Sequence, residues 1–512
     1  MTRRRRACAG AWDGPSRSNR RSAAAADLRL LRDGPSHAPA HARRRRVMAA
    51  LAPALVSELA RVAAPDRALR HLGSFMASIG ARTSFLHLLL ENPGVMRLLL
   101  RLFGTSEFLS RDFLRHPELL DSLVRADLVR VTRTREDLAG ELAARLGAAP
   151  DLETQLDILR RFRHEEFLRI GIHDIEGELR GDVVREQLST VAEVALEAAA
   201  GIAMDAVRER LGLDRAPPTE GLVIIGLGKL GGAELNYHSD LDIIFLYDAG
   251  PEGWWGTSGN GLAPHEYFSR VAQRTISALQ TPTREGVAYT IDTRLRPSGN
   301  QGTLVSSIAA FESYHATSAA LWERQALSKA RPLTGPPALC TRAATVIEQV
   351  VYARGLTTAE VAEMAAMRAR IADERGAAGE AVNIKTDWGG LVDVEFAVQM
   401  LQLRHGYAEP RVRVPGTRVA LDALIATGLL PAKDGERLRE GYAFLRDLEG
   451  RLRIERDQPV EAIDTDPDAM LGLARRLGYA GTDAEAVAGF RHELARHRAT
   501  IREVHERLFA SA

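Results

Sequence analysis

Two aspartates with one residue between them, Asp240 and Asp242, stand at the start of an apolar run that has the character of a β-strand. Because alternate residues of a strand share a face, both carboxylates point the same way, with α-carbons roughly 6.5 Å apart. Asp292 lies in another apolar run, where an aspartate is costly unless a cation or hydrogen bonds satisfy it. Three such carboxylates could hold two Mg²⁺ ions about 3.5–4 Å apart, the arrangement used in phosphoryl and nucleotidyl transfer.

A glycine-rich segment, GLGKLGG at 226–232, precedes the two aspartates. Its spacing matches the GxGxxG fingerprint of dinucleotide-binding folds. Only about eight residues separate it from the next strand, too few for the helix that such a fold needs. A P-loop is excluded as well, because no GK[ST] ends the run. We instead expect Gly231 and Gly232 to form a tight turn whose backbone N–H groups can approach a phosphate.

Several charged residues near these motifs are further candidates. Arg294 and Arg296 stand at i and i+2 on the same predicted strand face as Asp292, where arginines can offset phosphate charge. Surface salt bridges are the alternative interpretation of these arginines. Lys229 could reach a phosphate or could be a solvated turn lysine. His238 adjoins the acids, but without a His or Cys partner it is interpreted as a packing or turn residue.

A small sheet is needed to bring these residues together, and 264–280 has a helical pattern between its strands. The strand-like apolar runs lie at 221–228, 241–248, 286–296 and 303–307. This order predicts a small mixed α/β unit with short connections. The sequence on either side, 50–215 and 339–512, has helical periodicity, with a capping Asp151 before one helix and a long helix at 183–212.

Composition narrows the class of protein. The chain has 512 residues, of which 45% are hydrophobic and 26% are charged, and this excludes disorder along its whole length. Two cysteines cannot build a disulfide framework. No apolar run approaches the roughly 20 residues of a membrane-spanning helix, so we expect no membrane partner.

Charge is distributed unevenly along the chain. Residues 1–46 hold 13 Arg and 3 Asp, a balance of +10, so the remainder carries −9 of the net +1. A mildly acidic body argues against a broad nucleic-acid-binding surface, and we expect no nucleic-acid partner. The segment 1–46 is predicted to be a disordered Arg-rich tail, although a transit peptide or a nucleic-acid-binding arm has a similar composition.

Four segments, in order along the chain, carry a family resemblance. They are GLGKLGGAELNYHSDLDIIFLYD at 226–248, TPTREGVAYTIDTRLRPSGNQGTLVSS at 281–307, LWERQALSKARPL at 321–333 and NIKTDWGGLVDVEFAVQMLQLRHG at 383–406. They resemble the glutamine synthetase adenylyltransferase family, whose fold is similar to that of DNA polymerase β. Proteins of this family have two nucleotidyltransferase halves, and the LRPSG motif at 295–299 resembles the C-terminal, adenylylating half.

The resemblance implies a mainly helical α+β protein. A polymerase-β-like nucleotidyltransferase domain would be flanked by helical N-terminal and C-terminal domains. The expected divisions are a tail at 1–46, a helical N-terminal or joining region at 47–215, the nucleotidyltransferase domain at 216–340 and a C-terminal helical domain at 341–512.

The resemblance also implies an activity. The enzyme would use ATP and Mg²⁺ to attach AMP to a tyrosine of glutamine synthetase, releasing pyrophosphate, in the cytoplasm and under control of glutamine and the signalling protein PII. The metal ligands would be Asp240, Asp242 and Asp292. The ATP-binding residues would be Gly231, Gly232, Ser239, Arg294 and Arg296. Two alternatives remain open, which are deadenylylation by phosphorolysis and a catalytically silent protein that binds glutamine synthetase or PII.

Two of the resembling segments contain charged residues whose roles the sequence leaves open. Lys329 lies in the third segment, where packing and support of the active site are both consistent with the pattern. Lys385, Asp393 and Glu395 lie in the fourth segment. Asp393 and Glu395 are not on one helix face, so we do not expect them to share a metal ion.

Overall fold

A computed structural model describes the chain over residues 17–33, 42–62, 64–79, 83–120, 131–212, 221–248, 263–376, 381–455, 461–464 and 466–511. The chain divides into two compact units, Met1–Leu128 and Val129–Ala512.

The first unit is helical over most of its described residues. Its helices are α1 (Arg17–Asp33), α2 (Ala42–Leu59), α3 (Pro65–Ser78), α4 (Thr83–Glu91), α5 (Pro93–Thr105) and α6 (Glu107–Arg115). Pro93 occupies the first position of α5, where its missing N–H costs nothing. Four phenylalanine rings, with centroids 5.0 to 6.1 Å apart, fill the core, and they belong to Phe75, Phe85, Phe103 and Phe113.

Part of the predicted tail differs from the expectation of disorder. Helix α1 lies wholly within 1–46, and α2 begins within it. Leu31 is buried, and the buried Arg44 donates from Nε and Nη2 to the Leu31 carbonyl oxygen at 3.2 and 2.9 Å. An arginine that binds the last carbonyls of a helix stabilises its C-terminus. Residues 1–16 and 34–41 lie outside the described residues.

The second unit begins with three helices, α7 (Arg135–Gly147), α8 (Leu152–Ile175) and α9 (Gly181–Leu211). Asp151 caps α8 by accepting a hydrogen bond from the Thr154 N–H at 2.7 Å, as its position in the sequence indicated. Helix α9 corresponds to the long helix expected at 183–212, and it ends at Gly212, whose φ of 57° is left-handed.

A five-stranded mixed sheet forms the centre of this unit. Its strands are β1 (Leu222–Gly226), β2 (Leu241–Tyr247), β3 (Ile291–Asp292), β4 (Val305–Ser307) and β5 (Arg331–Thr334). The order is β3-β2-β1-β5, and β4 also pairs with β2. β1 is antiparallel to β2 and β5, whereas β3 and β4 run parallel to β2. Each strand-like run of the sequence therefore contributes a strand.

The strand predicted at 286–296 is shorter than expected. Only Ile291 and Asp292 pair with β2. Before them, the Ala288 N–H donates to the Leu279 carbonyl at 3.0 Å. After them, the Arg294 N–H donates to Asp292 Oδ1 at 2.8 Å, and this local bond turns the chain out of the sheet.

The remaining helices pack on the sheet or on one another. They are α10 (Gly228–Gly231), α11 (Pro264–Gln280), α12 (Ile308–Thr317), α13 (Leu321–Leu327), α14 (Pro337–Tyr352), α15 (Thr358–Arg375), α16 (Leu391–His405), α17 (Thr417–Ala426), α18 (Ala432–Glu455), α19 (Pro467–Arg476) and α20 (Asp483–Ala510). Helix α11 matches the prediction at 264–280. Two short strands, β6 (Val382–Asn383) and β7 (Ala462–Ile463), form a separate antiparallel pair.

The sheet and the C-terminal helices share one hydrophobic core. Val223 and Ile225 of β1 and Leu246 of β2 belong to the same cluster of buried side chains as Leu403 of α16 and Leu445 of α18. The protein is therefore α+β and mainly helical, as expected. The divisions at residues 215 and 340 stay a prediction. Among the described helices, none combines the length and the hydropathy that crossing a bilayer requires.

Candidate active site

The sheet places two of the predicted carboxylates side by side. β2 and β3 are parallel and in register, with Leu241 opposite Ile291 and Asp242 opposite Asp292. Neighbouring strands lie about 4.8 Å apart, and residues in register point to the same face. Asp240 lies two residues before Asp242 and is exposed at the start of β2. The structure thus brings the D-x-D motif and the strand aspartate to one edge of the sheet.

The carboxylates repel one another. Burial first, and then the negative charges of Asp292 and Asp240, raise the pKa of Asp242 to about 6. The positive charges of Lys385 and Arg294 only partly oppose this rise. A cation at this edge of the sheet would therefore stabilise the ionised form of Asp242.

The donor set fits Mg²⁺ under one condition. In the described part of the chain, no three His, Cys, Asp or Glu side chains form a complete metal-binding group. Mg²⁺ prefers oxygen ligands, and it is commonly held by one or two carboxylates together with water and substrate phosphates. Gly228 leaves room beside the pair, because a β-carbon there would lie 2.5 Å from Asp242 Oδ2. The residues present therefore fit an ion that is shared with a phosphate ligand.

Asp292 has a close partner on its own loop. The Arg294 Nε donates to Asp292 Oδ1 at 3.0 Å and to Oδ2 at 2.8 Å, and the side-chain bond from Arg294 holds the pKa of Asp292 below its usual value. The Arg294 side chain is 73% exposed. This guanidinium therefore covers the third carboxylate on the solvent side.

Arg296 lies in the loop after β3 and not on a strand face shared with Asp292. Because β3 ends at Asp292, the expected shared face of Asp292, Arg294 and Arg296 does not extend past the strand. Arg296 donates to the carbonyl oxygens of Thr293 at 2.8 Å and Gly302 at 3.3 Å. It therefore holds the loop after β3 in its turns.

The two glycines of the turn are also used differently. The N–H of Gly231 donates to the Leu227 carbonyl at 2.9 Å, and that of Gly232 to the Gly228 carbonyl at 3.2 Å. These amides are therefore engaged within the single turn of α10. A β-carbon at Gly231 would lie 1.9 Å from the Lys329 carbonyl oxygen. Gly231 is thus required by close packing of the turn, and the expected phosphate contact through these two amides does not follow from this geometry.

Ser239 closes the loop that leads into β2. Its hydroxyl oxygen accepts from the Asn236 N–H at 3.0 Å and lies 3.5 Å from Arg453 Nη1. His238 beside it has a φ of 56°, the left-handed conformation typical of a turn. The side chains of this loop therefore set the direction in which Asp240 enters the strand.

Helix α18 supplies residues that the sequence analysis did not identify. Glu449 is fully buried and accepts from Lys229 Nζ at 2.5 Å and from Arg446 Nη1 at 2.6 Å, and its Oε1 lies 3.3 Å from Arg453 Nη2. Burial opposes ionisation of this carboxyl, yet the three cations hold the pKa of Glu449 well below its usual value. Lys229 is therefore an internal ion-pair partner and not a solvated turn lysine.

The same helix fixes the backbone of the turn. Arg453 Nη1 donates to the Tyr237 carbonyl at 3.2 Å, and Arg446 Nη2 donates to the Glu234 carbonyl. Charged side chains at 446, 449 and 453 lie on one helix face. The sequence does show this stripe of charged residues, but the residues that it contacts lie far away along the chain, so the contacts could not be predicted from it.

Asp393 and Glu395, whose roles the sequence left open, pair with residues of other elements. Asp393 is buried against Arg368 and accepts from the Gly389 N–H at 2.5 Å. Glu395 lies 3.7 Å from Lys329 Nζ. The two acids therefore have separate partners.

Comparison with known proteins agrees with these motifs. Residues 96–345 match the family model described as glutamate-ammonia ligase adenylyltransferase, and residues 363–509 match the model described as GlnD PII-uridylyltransferase.

Several curated relatives are named bifunctional glutamine synthetase adenylyltransferase/adenylyl-removing enzyme. That of Thioalkalivibrio sulfidiphilus is 36% identical over 447 residues, 85% of this chain and 46% of the relative. That of Pseudomonas putida is 35% identical over 80% of this chain and 44% of the relative. That of Bradyrhizobium diazoefficiens is 33% identical over 78% of this chain and 40% of the relative.

The chain thus spans less than half the length of the curated relatives it matches. The two family models together extend over most of the sequence, and the predicted aspartates meet at the edge of the sheet. The chain belongs to the glutamine synthetase adenylyltransferase family.

Proposed function

We propose that this chain transfers AMP from ATP to a tyrosine of glutamine synthetase and releases pyrophosphate. The observation that carries the proposal is the pairing of Asp242 with Asp292 in neighbouring parallel strands, with Asp240 beside them. The family model over 96–345 and the names of the relatives support adenylylation of glutamine synthetase as the reaction.

Asp240, Asp242 and Asp292 would hold Mg²⁺ together with the phosphates of ATP. When bound, Mg²⁺ neutralises phosphate charge and favours the ionised tyrosine hydroxyl. The chain's own residues orient these carboxylates. The in-register strands fix Asp242 beside Asp292, and Arg294 holds Asp292 in place.

The residues expected to bind ATP have unequal support. Ser239 lies directly before Asp240, and Arg294 is exposed beside Asp292, and these positions support the proposal that both contact the triphosphate. Gly231 and Gly232 would act by allowing the turn to pack closely, and Arg296 by shaping the loop after β3.

Adenylylation is favoured over removal of AMP by the sequence around Arg296. The LRPSG motif resembles the adenylylating half of the family. One set of three carboxylates makes one site. Microscopic reversibility lets an adenylylating site run backwards with pyrophosphate but not with phosphate. Phosphorolytic deadenylylation therefore remains the second candidate.

The partners follow from the same proposal. Glutamine synthetase is the protein substrate, and PII and glutamine are the regulators. The match of 363–509 to a model described as a PII-uridylyltransferase supports a connection with PII. We place the reaction in the cytoplasm, where these partners would meet.

The test is transfer of label from [α-³²P]ATP to unmodified glutamine synthetase by the full chain with MgCl₂. Wild type should label the target, and Asp242→Asn should lose at least a hundredfold of the rate, because loss of a partner that merely supports a metal ligand already costs roughly 10–100-fold. Asp248→Asn is the matched control, since Asp248 follows the other end of β2 and pairs with Arg342.

A parallel reaction uses adenylylated glutamine synthetase, phosphate and PII. Release of ADP that Asp242→Asn abolishes, without transfer from ATP by wild type, would assign the chain to deadenylylation. Binding of glutamine synthetase without either reaction would support the catalytically silent alternative.

A further inference from the structure

The chain uses lysine at very few positions. Of its 68 lysines and arginines, four are lysine, namely Lys229, Lys329, Lys385 and Lys433. Lys433 is exposed near the start of α18. The other three lie in the second unit around the turn and the helices that hold it. A lysine ammonium is a compact point charge and an arginine guanidinium is a planar fork, so the two are not interchangeable at these three positions.

Two of these three lysines are committed to buried carboxylates. Lys229 contacts the fully buried Glu449, and its side chain is 18% exposed. Lys329 lies 3.4 Å from Glu234 and 3.7 Å from Glu395, and its side chain is 8% exposed. Removing either ammonium would leave a buried carboxylate with fewer partners, so these pairs are fixed parts of the protein interior.

Lys385 differs from both in its exposure. Its Nζ lies 2.8 Å from Glu461 Oε1, and the two side chains are 36% and 26% exposed. An ion pair at this level of exposure is weak, about 0–1 kcal/mol, so the ammonium can exchange partners at little cost.

Glu461 does not depend on Lys385 alone. The same Oε1 accepts from Arg453 Nη2 at 3.3 Å. If the lysine leaves, Glu461 keeps the guanidinium of Arg453 as its partner. Glu461 therefore keeps one cationic partner when the ammonium of Lys385 moves away.

Lys385 is linked to the candidate active site through Glu461 and Arg453. Its backbone is fixed, because its N–H donates to Asn383 Oδ1 at 2.9 Å and its carbonyl accepts from the Val392 N–H at 3.1 Å. Through Glu461 it joins Arg453, which in turn lies 3.5 Å from Ser239 Oγ.

We propose that Lys385 is a nucleotide-contacting residue, whose ammonium leaves Glu461 on binding and contacts a phosphate oxygen of the triphosphate held at Asp240, Asp242 and Asp292. This inference rests on the proposed use of ATP at that site. It makes the C-terminal helical region a direct part of the nucleotide site, since Lys385 follows β6 and precedes α16.

The experiment is isothermal titration calorimetry of the full chain with α,β-methylene-ATP and MgCl₂, without glutamine synthetase. Lys385→Met should weaken binding at least tenfold, and Lys385→Arg should recover part of the loss because it restores the positive charge. Glu461→Gln should tighten binding by about two- to fivefold, since it weakens the competing ion pair. Lys433→Met is the matched control and should bind as wild type does.

Equal affinity of Lys385→Met and wild type would overturn the proposal, as would a wild-type chain that binds no nucleotide. If Lys385→Met does not fold, the nucleotide affinity of Glu461→Gln alone tests the proposal. Weaker or unchanged binding by that variant would then overturn it. Failure of the proposed function is separate, because a chain that binds nucleotide through Lys385 but labels no glutamine synthetase refutes the target and supports the contact.

Discussion

Replacing Asp242 by Asn should stabilise the metal-free protein while it abolishes nucleotidyl transfer. Burial and the charges of Asp292 and Asp240 raise the pKa of Asp242 from 3.8 to about 6. The folded protein therefore holds this proton more tightly than the unfolded chain. Its stability falls as the pH rises from about 4 to about 6, and it stays lower above that range. At 1.36 kcal/mol per pKa unit the cost is up to roughly 3 kcal/mol, and solvent screening reduces it to about 1–3 kcal/mol.

Asparagine has nearly the same shape and cannot ionise, so it removes this cost. With an unfolding entropy near 2.1 cal/mol/K per residue, the unit Val129–Ala512 has about 0.8 kcal/mol/K, and the expected rise in Tm is about 1–4 °C. Differential scanning calorimetry in EDTA at pH 7.5 measures this rise, and the difference should vanish below pH 4. Asp248→Asn, just after the same strand, is the control and should change Tm by about 1 °C or less.

Magnesium separates charge repulsion from other effects of the substitution. Addition of MgCl₂ should raise the Tm of wild type, because an ion bound only by the folded state stabilises it. The Asp242→Asn variant should lose this response. A lower Tm for the variant than for wild type in EDTA at pH 7.5 would refute the reasoning that nearby positive charges compensate Asp242 only in part.

Three further substitutions test the residues around the carboxylates. Gly228→Ala should reduce AMP transfer at least tenfold, because the added β-carbon would displace Asp242. It should also lower the free energy of unfolding by about 1–2 kcal/mol, because the φ of residue 228 is +52°. The labelling assay measures the first effect and Tm the second. Glu449→Gln should destabilise the protein by roughly 3–5 kcal/mol, seen as a lower Tm, because it breaks a buried ion pair. Glu440→Gln, on the exposed side of the same helix, should leave Tm unchanged. Arg160→Met should cost about 2–4 kcal/mol by calorimetry, because the buried guanidinium donates to several backbone carbonyls; an unchanged Tm would contradict this.

Local signals in the sequence were sufficient for most of the fold. The helix expected at 264–280 is Pro264–Gln280, since a proline at the first turn and a periodic apolar face act within a few residues. The strand expected at 286–296 was too long, because the apolar pattern does not show a side-chain hydrogen bond that ends the strand early. Its alternating pattern suits a strand, but the carboxyl of Asp292 binds the Arg294 N–H and competes with pairing to β2.

In the candidate site, features set by residues close together in sequence were likewise predictable, and features set by distant residues were not. The spacing of Asp240 and Asp242 followed from strand geometry alone, and the register of β2 and β3 then brought Asp292 beside them. The role of Gly231 could not be derived in this way. A glycine that admits a ligand and a glycine that admits the protein's own backbone look alike in sequence, and only the Lys329 carbonyl near its α-carbon distinguishes them.

The contribution of α18 was the hardest to predict, because its residues contact partners that lie very far away along the chain. Lys229 and Glu449 lie 220 positions apart, and charged residues at 446, 449 and 453 would ordinarily mark the solvent face of a helix. The face is instead buried, because the loop from Lys229 to Ser239 presents backbone carbonyls and an ammonium that these charged side chains satisfy. The turn that leads to Asp240 and Asp242 therefore takes its shape from a helix near the end of the chain. Any change that shifts α18 should alter the position of Asp240 before it alters the sheet.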